Sequence, residues 1–367
     1  MNENKDCKSN NYRLLLHGFD TIQCAYYLDP CIGASLDFQM LASLKESIRH
    51  SKNKSPRPVT LGNAEFLLHP SGSPSGYPFI ISNDFFKIEL GEFNIPNFFV
   101  TFSSQALWQD SAYKLHNKFI KWAASVGYEQ YTNESLSRID YCFDYKIEQM
   151  DFNEDSFVSR AAKDSKHREN GKVQTFTFGK DDIVLRVYDK ITEIEQQSDK
   201  AWFFILWGED KDIWRIEWQI RKDILKTFGI VTFQDLKERI GNLLQYLSED
   251  HDTLRIPTGD SNRSRWPLHP LWIDLQEKIK TLETLEVCEV YGQTASLEER
   301  KMQIIISVYG YLKRLAAIRC IQKKRKKISL DDTGFYMNSL IKDKLHEPLS
   351  WQMDVEKRMK EMLLGEW

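Results

Sequence analysis

The chain has no long apolar run and contains few glycines and prolines. Its most apolar segment, AWFFILW at 201–207, is far shorter than the roughly 20 residues that span a bilayer, so a membrane protein is not expected. The 17 glycines and 11 prolines among 367 residues exclude a collagen-like or low-complexity chain. The first 20 residues lack the apolar segment of a secretory signal, and we therefore expect a cytoplasmic protein.

Several motifs that would identify an active site are also missing. None of the six cysteines forms a C-x-x-C pair, which argues against a zinc ribbon or a disulfide framework and favours reduced thiols. The sequence has no phosphate-binding G-x-x-x-x-G-K-[ST] loop, no G-x-S-x-G elbow and no H-E-x-x-H helix. Its eight histidines never form an H-x-H pair. Histidine-pair nicking enzymes are therefore an unfavourable match.

The length and composition predict a folded chain with two parts. At 367 residues the chain exceeds the size at which single cores stop growing, and 41% of it is hydrophobic. Short strand-like runs dominate residues 1–110, with helices predicted at 36–50 and 109–127, and three longer strands follow up to residue 221. Beyond residue 222 the pattern is helical, and the turn-rich segment 251–270 is a candidate linker. We predict an α+β fold, with a mainly antiparallel sheet and flanking helices over 1–270 and a helical, basic region over 271–367.

Three predicted strands carry polar residues on one set of alternate positions and apolar residues on the other. They are LSRIDYCFDY (136–145), DIVLRVYDK (182–190) and IWRIEWQIR (213–221). Successive strand side chains point to opposite faces, so each strand has one polar face. The polar sets are Arg138, Asp140, Cys142 and Asp144; Arg186, Tyr188 and Lys190; and Arg215, Glu217, Gln219 and Arg221. If the strands share a sheet, these faces form one surface; a solvated sheet with cross-strand ion pairs is the equally open alternative.

That surface would suit phosphate chemistry. Carboxylates on one face suit Mg²⁺ or Mn²⁺, and Asp140, Asp144 and Glu217 are the candidate ligands. A tyrosine beside such an ion can act as a covalent nucleophile, and Tyr188 lies between Arg186 and Lys190, which would stabilise the developing charge. The remaining arginines of the face are candidate phosphate contacts: Arg138, Arg215 and Arg221.

A second concentration of positive charge lies near the C-terminus. The net charge is only −3, yet residues 300–328 contain ten basic and no acidic residues. Leu315, Ile318 and Ile321 form an i, i+3, i+6 stripe that would anchor a basic helix through its apolar side. Spacing alone does not choose between a phosphate-binding segment and a solvated helix face. The candidate DNA contacts are Lys313, Arg314, Lys323, Lys324, Arg325, Lys326 and Lys327.

The order and spacing of three segments resemble the replication initiation factor family, which includes rolling-circle plasmid and phage initiators and relaxases of conjugative elements. The segments are SRIDYCFDY (137–145), TFTFGKDDIVLRVYDKITEIE (175–195) and WRIEWQIR (214–221), and HGFDTIQCAYY (17–27) resembles the family's first strand. The resemblance covers roughly residues 12–270. It implies a metal-dependent DNA nickase in which Tyr188 becomes linked to a 5′ phosphate and a 3′-hydroxyl primer is released.

The resemblance also implies partners and leaves alternatives. Origin DNA, either as a duplex with a hairpin or single-stranded at the nick site, is the expected substrate, and a host helicase and polymerase would follow. Many conjugative relaxases of the family carry an extra amino-terminal DNA-binding domain, whereas the first family-like strand of this sequence begins by about Tyr12. The resemblance therefore favours an initiator over a conjugative relaxase. A non-catalytic DNA-binding regulator and an α+β interaction protein stay open, as does a homodimer.

Overall fold

The chain forms two compact units in a computed structural model that describes residues 12–52, 54–161, 163–169, 172–198, 200–282, 297–344 and 348–363. Of these residues, the first unit holds those up to Glu193 and from Asp210 to 282. The second unit holds Ile194–Glu209 and the described residues from 297 onward.

An antiparallel sheet of eleven strands organises the first unit, in the order β11-β12-β13-β14-β9-β1-β7-β6-β5-β4-β3. Two small sheets pair β10 with β15 and β2 with β8. With its helices, this sheet confirms the predicted α+β class. The strands are β1 Tyr12–Tyr26, β2 Leu28–Pro30, β3 Arg57–Leu61, β4 Ala64–Leu68, β5 Phe79–Ser82, β6 Phe86–Leu90, β7 Phe98–Phe102, β8 Tyr128–Gln130, β9 Ser135–Ile147, β10 Phe157–Ser159, β11 Asp164–Glu169, β12 Lys172–Phe178, β13 Ile183–Asp189, β14 Ile213–Arg221 and β15 Asp252–Leu254.

The helices of the first unit begin at polar caps. The predicted helix at 109–127 is confirmed as α3, Ala112–Ser125, which begins after Ser111, whose hydroxyl accepts from the Lys114 N–H at 3.2 Å. Thr232 and Asp235 form a capping box in the same way. The helices are α1 Phe38–Arg49, α2 Ser104–Gln109, α3 Ala112–Ser125, α4 Lys190–Gln196, α6 Lys222–Thr227, α7 Phe233–Tyr246 and α8 Pro270–Thr281, with α4 running into the second unit.

An aromatic core covers one face of the large sheet. Phe98 and Phe119 of α3 lie with ring centroids 6.3 Å apart, and Trp218 of β14 meets Trp272 of α8 at 5.8 Å. Both tryptophans are fully buried. Burial of such large side chains contributes most to a core, so the helices hold the sheet from this side. The opposite face of β9, β13 and β14 is the polar one.

The first unit extends beyond residue 270, where the sequence predicts the boundary between the two parts of the chain. Leu271, Trp272 and Leu275 of α8 are fully buried in the core of the first unit, so this helix belongs with the sheet. The segment 251–270, predicted as a linker, contributes β15, and Arg255 pairs with Leu268 as a β-bridge. Both segments are therefore parts of the first unit.

The second unit is helical in its described residues. It contains α5 Phe203–Trp207, α9 Leu297–Lys323, α10 Leu330–Lys344 and α11 Pro348–Leu363. Arg319 of α9 lies 4.0 Å from the Tyr336 ring of α10, which ties these helices together. Across the described ranges of both units, no helix combines the length and the apolar content that crossing a membrane requires.

Four cysteines lie among the described residues, and each is a free thiol. They are Cys24, Cys31, Cys142 and Cys320. The prediction of reduced thiols for Cys7 and Cys288 falls outside the described residues.

Candidate active site

The three polar strands are neighbours in the sheet, which places their polar residues on one surface. Strand β14 lies between β13 and β9 and pairs antiparallel with both. Its register aligns Arg186 with Glu217 and Cys142, and Tyr188 with Arg215 and Asp144. Because aligned residues share a face, the candidate side chains of all three strands face the same side.

Tyr188 is hydrogen-bonded to a carboxylate. Its hydroxyl donates to Glu217 Oε2 at 2.9 Å, while Arg186 donates to Glu217 Oε1 at 2.7 Å and to Gln219 Oε1 at 2.9 Å. The pKa of Tyr188 is raised well above its ordinary value, first by burial and then by the charge of Glu217, while Arg215 opposes the rise. The phenol is therefore protonated at neutral pH and has its proton acceptor in place.

The turn after Tyr188 brings a cation to the same phenol. Asp189 accepts hydrogen bonds from the Thr192 N–H at 3.1 Å and hydroxyl at 2.8 Å, which starts α4 directly after the strand. Lys190 is consequently the first residue of the helix and not the last of the strand. Its side chain is 1% exposed, and its ammonium nitrogen lies 5.5 Å from the Tyr188 ring centroid and pairs with Glu193 at 2.5 Å.

Asp140 lies one row along the face from Glu217. Arg138 donates to both of its oxygens, at 2.7 and 2.5 Å. The pKa of Asp140 is raised to about 6: burial is the largest cause, the hydrogen bond from Arg138 opposes it, and the charge of Glu217 adds to it. The negative charge of Glu217 therefore disfavours the ionised form of Asp140.

Arg215 and Asp144 form a buried ion pair. The guanidinium donates to both oxygens of Asp144, at 2.6 and 2.8 Å, and both side chains are completely buried. Arg215 also donates to Asp20 of β1 at 2.9 Å, and its guanidinium lies 5.7 Å from the Trp108 ring of α2. Arg215, predicted as a phosphate contact, and Asp144, predicted as a metal ligand, bond to each other instead of facing solvent.

A divalent cation fits only part of the predicted ligand set. Within the described ranges, no three His, Cys, Asp or Glu side chains gather closely enough to hold a metal ion. Asp144 gives both oxygens to the completely buried Arg215, and Asp140 gives both of its oxygens to Arg138, whose side chain is partly exposed. The charge of Glu217 also raises the pKa of Asp140, so a cation beside Asp140 and Glu217 would offset their repulsion. Since Mg²⁺ is often held by one or two carboxylates and substrate phosphate, this pair fits such an ion.

The remaining predicted DNA contacts lie at two places. Arg221 is exposed at the end of β14, aligned with the partly exposed Arg138. In the second unit, Lys313 and Arg314 are exposed on α9, which ends at Lys323. Lys324, Arg325, Lys326 and Lys327 follow in the exposed turn before α10.

Two side chains of this face were missed by reading the three strands alone. Asp20 is the acidic residue of β1, and Trp108 comes from a short helix with no charge pattern. The signal for Asp20 was a lone carboxylate inside the strand-like segment HGFDTIQ.

Comparison with known proteins gives a structural similarity. No protein-family model matches the chain, and no curated protein matches it. Among solved structures, the chain is similar to a rolling circle replication initiator protein from Geobacillus stearothermophilus, with 18% sequence identity and a TM-score of 0.45, over 75% of this chain and 100% of that one.

Proposed function

We propose that the chain is a DNA-nicking enzyme that initiates rolling-circle replication, with Tyr188 as its nucleophile. The observation that carries the proposal is the hydrogen bond from the Tyr188 hydroxyl to Glu217, on a sheet face that also presents Arg186 and Arg138. A nucleophile within reach of a base, beside cations, is what phosphoryl transfer requires. A regulator that only binds DNA has no need of this pair.

The chemistry follows from the position of the proton. Glu217 takes the proton of Tyr188 as the phenol oxygen forms a bond to the phosphorus of the scissile phosphate. The bond from phosphorus to the 3′ oxygen breaks, and that oxygen leaves with its electron pair and takes up a proton from water. The products are a 5′-phosphotyrosyl link and a 3′-hydroxyl that can prime synthesis.

Cations of the face stabilise charge during this step. Lys190 lies beside the Tyr188 ring, and Arg186 is one-third exposed, so its guanidinium can reach a phosphate oxygen. Asp140 and Glu217 would hold Mg²⁺ or Mn²⁺, which when bound supplies positive charge at the phosphate. Arg138 and Arg221 extend the cationic surface along the strands toward the flanking DNA.

Origin DNA is the proposed substrate, and the exposed basic residues of the second unit are its proposed duplex contact. Five consecutive cations, at 323–327, are exposed there, which suits contact with phosphates. A host helicase and polymerase would act after the nick, since they use the separated strand and the free 3′-hydroxyl.

The test uses a supercoiled plasmid that carries the DNA flanking the gene for this protein, in which an inverted repeat would mark the origin. Purified protein with Mn²⁺ or Mg²⁺ should convert it to open-circular DNA with protein attached to the 5′ end. The same plasmid without the repeat is the control. Failure to nick either plasmid, or nicking with no attached protein, would contradict the proposal.

A further inference from the structure

Strand β1 is irregular where it passes the candidate site. Its pairing with β9 is regular from His17 to Phe19 and shifts between Phe19 and Thr21, which leaves Asp20 as an extra residue. A bulge of this kind redirects a side chain, and bulges are common beside active sites. Asp20 consequently turns its carboxylate toward Arg215 on the polar face.

One oxygen of Asp20 accepts three hydrogen bonds. The donors to Oδ1 are Arg215 at 2.9 Å, the Ser104 hydroxyl at 2.9 Å and the Trp108 indole at 3.3 Å. Ser104 and Trp108 belong to α2, which follows β7 and lies along β1. Asp20 therefore links the helix to a guanidinium that is completely buried.

Arg215 in turn lies next to the proposed nucleophile. It is the register partner of Tyr188 on β14, on the same face. Its charge also lowers the pKa of Tyr188, against the effects of burial and Glu217. Bonds to Asp144 and Asp20, together with the Trp108 ring, fix the guanidinium from three directions.

We propose that Asp20 is a positioning residue for DNA nicking: through Arg215 and Trp108 it holds a buried cation in place beside Tyr188. The inference rests on the proposed function. Asp20 does not touch DNA, because its side chain is only 10% exposed and its oxygen is bonded to α2 and Arg215. Its effect is on the placement of the cation where charge develops in the transition state, for which small displacements are costly.

The test compares Asp20→Ala with Asp20→Asn in single-turnover cleavage of an oligonucleotide spanning the nick site. Asp20→Ala should lower the rate about 100-fold, since the cation loses its support. Asn keeps an oxygen that can accept the same three hydrogen bonds, so Asp20→Asn should recover most of that rate. The dissociation constant for the oligonucleotide should change less than about twofold in both variants, because Asp20 lies behind the DNA-facing groups.

Asp252 provides a matched control. It is buried on the other face of the sheet and accepts from the Trp218 indole at 2.9 Å and the Ser159 hydroxyl at 2.6 Å, the same donor types that α2 offers to Asp20. Asp252→Ala should lower the melting temperature as Asp20→Ala does, yet cleave at the wild-type rate while folded. Equal loss of rate in the two alanine variants would reduce Asp20 to a structural role and overturn the inference.

Wild-type protein and Tyr188→Phe run alongside to separate the two proposals. No Tyr188-dependent cleavage by the wild type overturns the proposed function and the inference with it, whereas cleavage by Asp20→Ala at the wild-type rate overturns the inference alone. If Asp20→Ala does not fold, Trp108→Phe decides, because it removes the indole donor and keeps an aromatic ring. A severalfold slower rate supports the inference, and an unchanged rate overturns it.

Discussion

Two tyrosines on opposite faces of the central sheet make the same hydrogen bond in different surroundings. Tyr188 donates to Glu217 and Tyr145 donates to Asp274, both at 2.9 Å, and burial raises the pKa of both phenols. Tyr145 is completely buried in the hydrophobic core, whereas Tyr188 is partly exposed. A tyrosine bonded to a carboxylate is therefore not enough to make a site.

The difference lies in the charges around each pair. Tyr188 has Lys190 over its ring and Arg215 beside it, and Glu217 is also bonded to Arg186. Tyr145 aligns with Trp214, and its partner Asp274 belongs to α8, which packs on the core. The cations beside Tyr188 could stabilise a phosphorane, while the core gives Tyr145 packing and its hydrogen bond to Asp274.

Removing the hydroxyl of each tyrosine in turn should give the largest difference in nicking activity. Tyr188→Phe should lose nicking and covalent attachment altogether, because the attacking oxygen is gone, and should keep DNA affinity. Tyr145→Phe should nick at the wild-type rate and lose about 1 kcal/mol of unfolding free energy with its hydrogen bond. Gel assays of nicking and denaturant unfolding measure the two effects. Nicking by Tyr188→Phe near the wild-type rate would reject it as the nucleophile.

Neutralising the two carboxylates sharpens the same contrast. Glu217→Gln should slow single-turnover cleavage by about 10²–10⁴-fold, since the proton acceptor is removed. Asp274→Asn removes the matching charge from the other face and should leave the rate unchanged. A quenched time course of oligonucleotide cleavage measures the rates of both variants. If the two variants cleaved equally fast, Glu217 would not be the base.

The metal ion should bind on the sheet face that carries Tyr188, and its affinity should depend on pH. Since the pKa of Asp140 is about 6, protons should compete with Mn²⁺ for its carboxylate as the pH falls through that value. Calorimetric titration with Mn²⁺ at pH 5 and pH 7.5 should show weaker binding at the lower pH. Asp140→Asn should bind Mn²⁺ weakly at both, and an unchanged affinity in that variant would place the ion elsewhere.

The basic residues of the second unit should have the smallest effect on strand cleavage itself. Replacing all five cations of 323–327 with Gln should weaken duplex origin binding and flatten its salt dependence, by about 0.9 in log–log slope for each phosphate that is no longer neutralised. Cleavage of a short oligonucleotide should stay near the wild-type rate, because the polar sheet face is intact. An unchanged salt slope would move the duplex contact to Arg255, Arg263 and Arg265.

Strand alternation predicted the polar face because a period of two is a local property of each strand. The observed strands Ile183–Asp189 and Ile213–Arg221 match the predicted ones closely, and their register brings Tyr188 and Glu217 together. The alternation of polar and apolar residues could not predict which charged side chains form ion pairs with each other. Arg215 bonds to its cross-strand partner Asp144, and it is also contacted by Asp20 and Trp108, which come from distant segments of the chain.

The helical parts were harder to delimit for a related reason. Leu315, Ile318 and Ile321 form an i, i+3, i+6 stripe that suggested an apolar anchor, yet Ile318 and Ile321 are 50% and 78% exposed. Spacing reports which residues share a helix face and not whether another element covers it. For the same reason the sequence predicted a boundary at residue 270, since the burial of α8 depends on strands that are distant in the sequence.

The most direct test of the proposed nucleophile identifies the residue that carries the DNA. After nicking of a labelled oligonucleotide, protease digestion and mass spectrometry of the covalent adduct should find the 5′-phosphonucleotide on Tyr188, within the peptide that follows Arg186. Attachment to another residue, such as Tyr141 or Tyr145 on the core face, would contradict the assignment of the polar face as the active site.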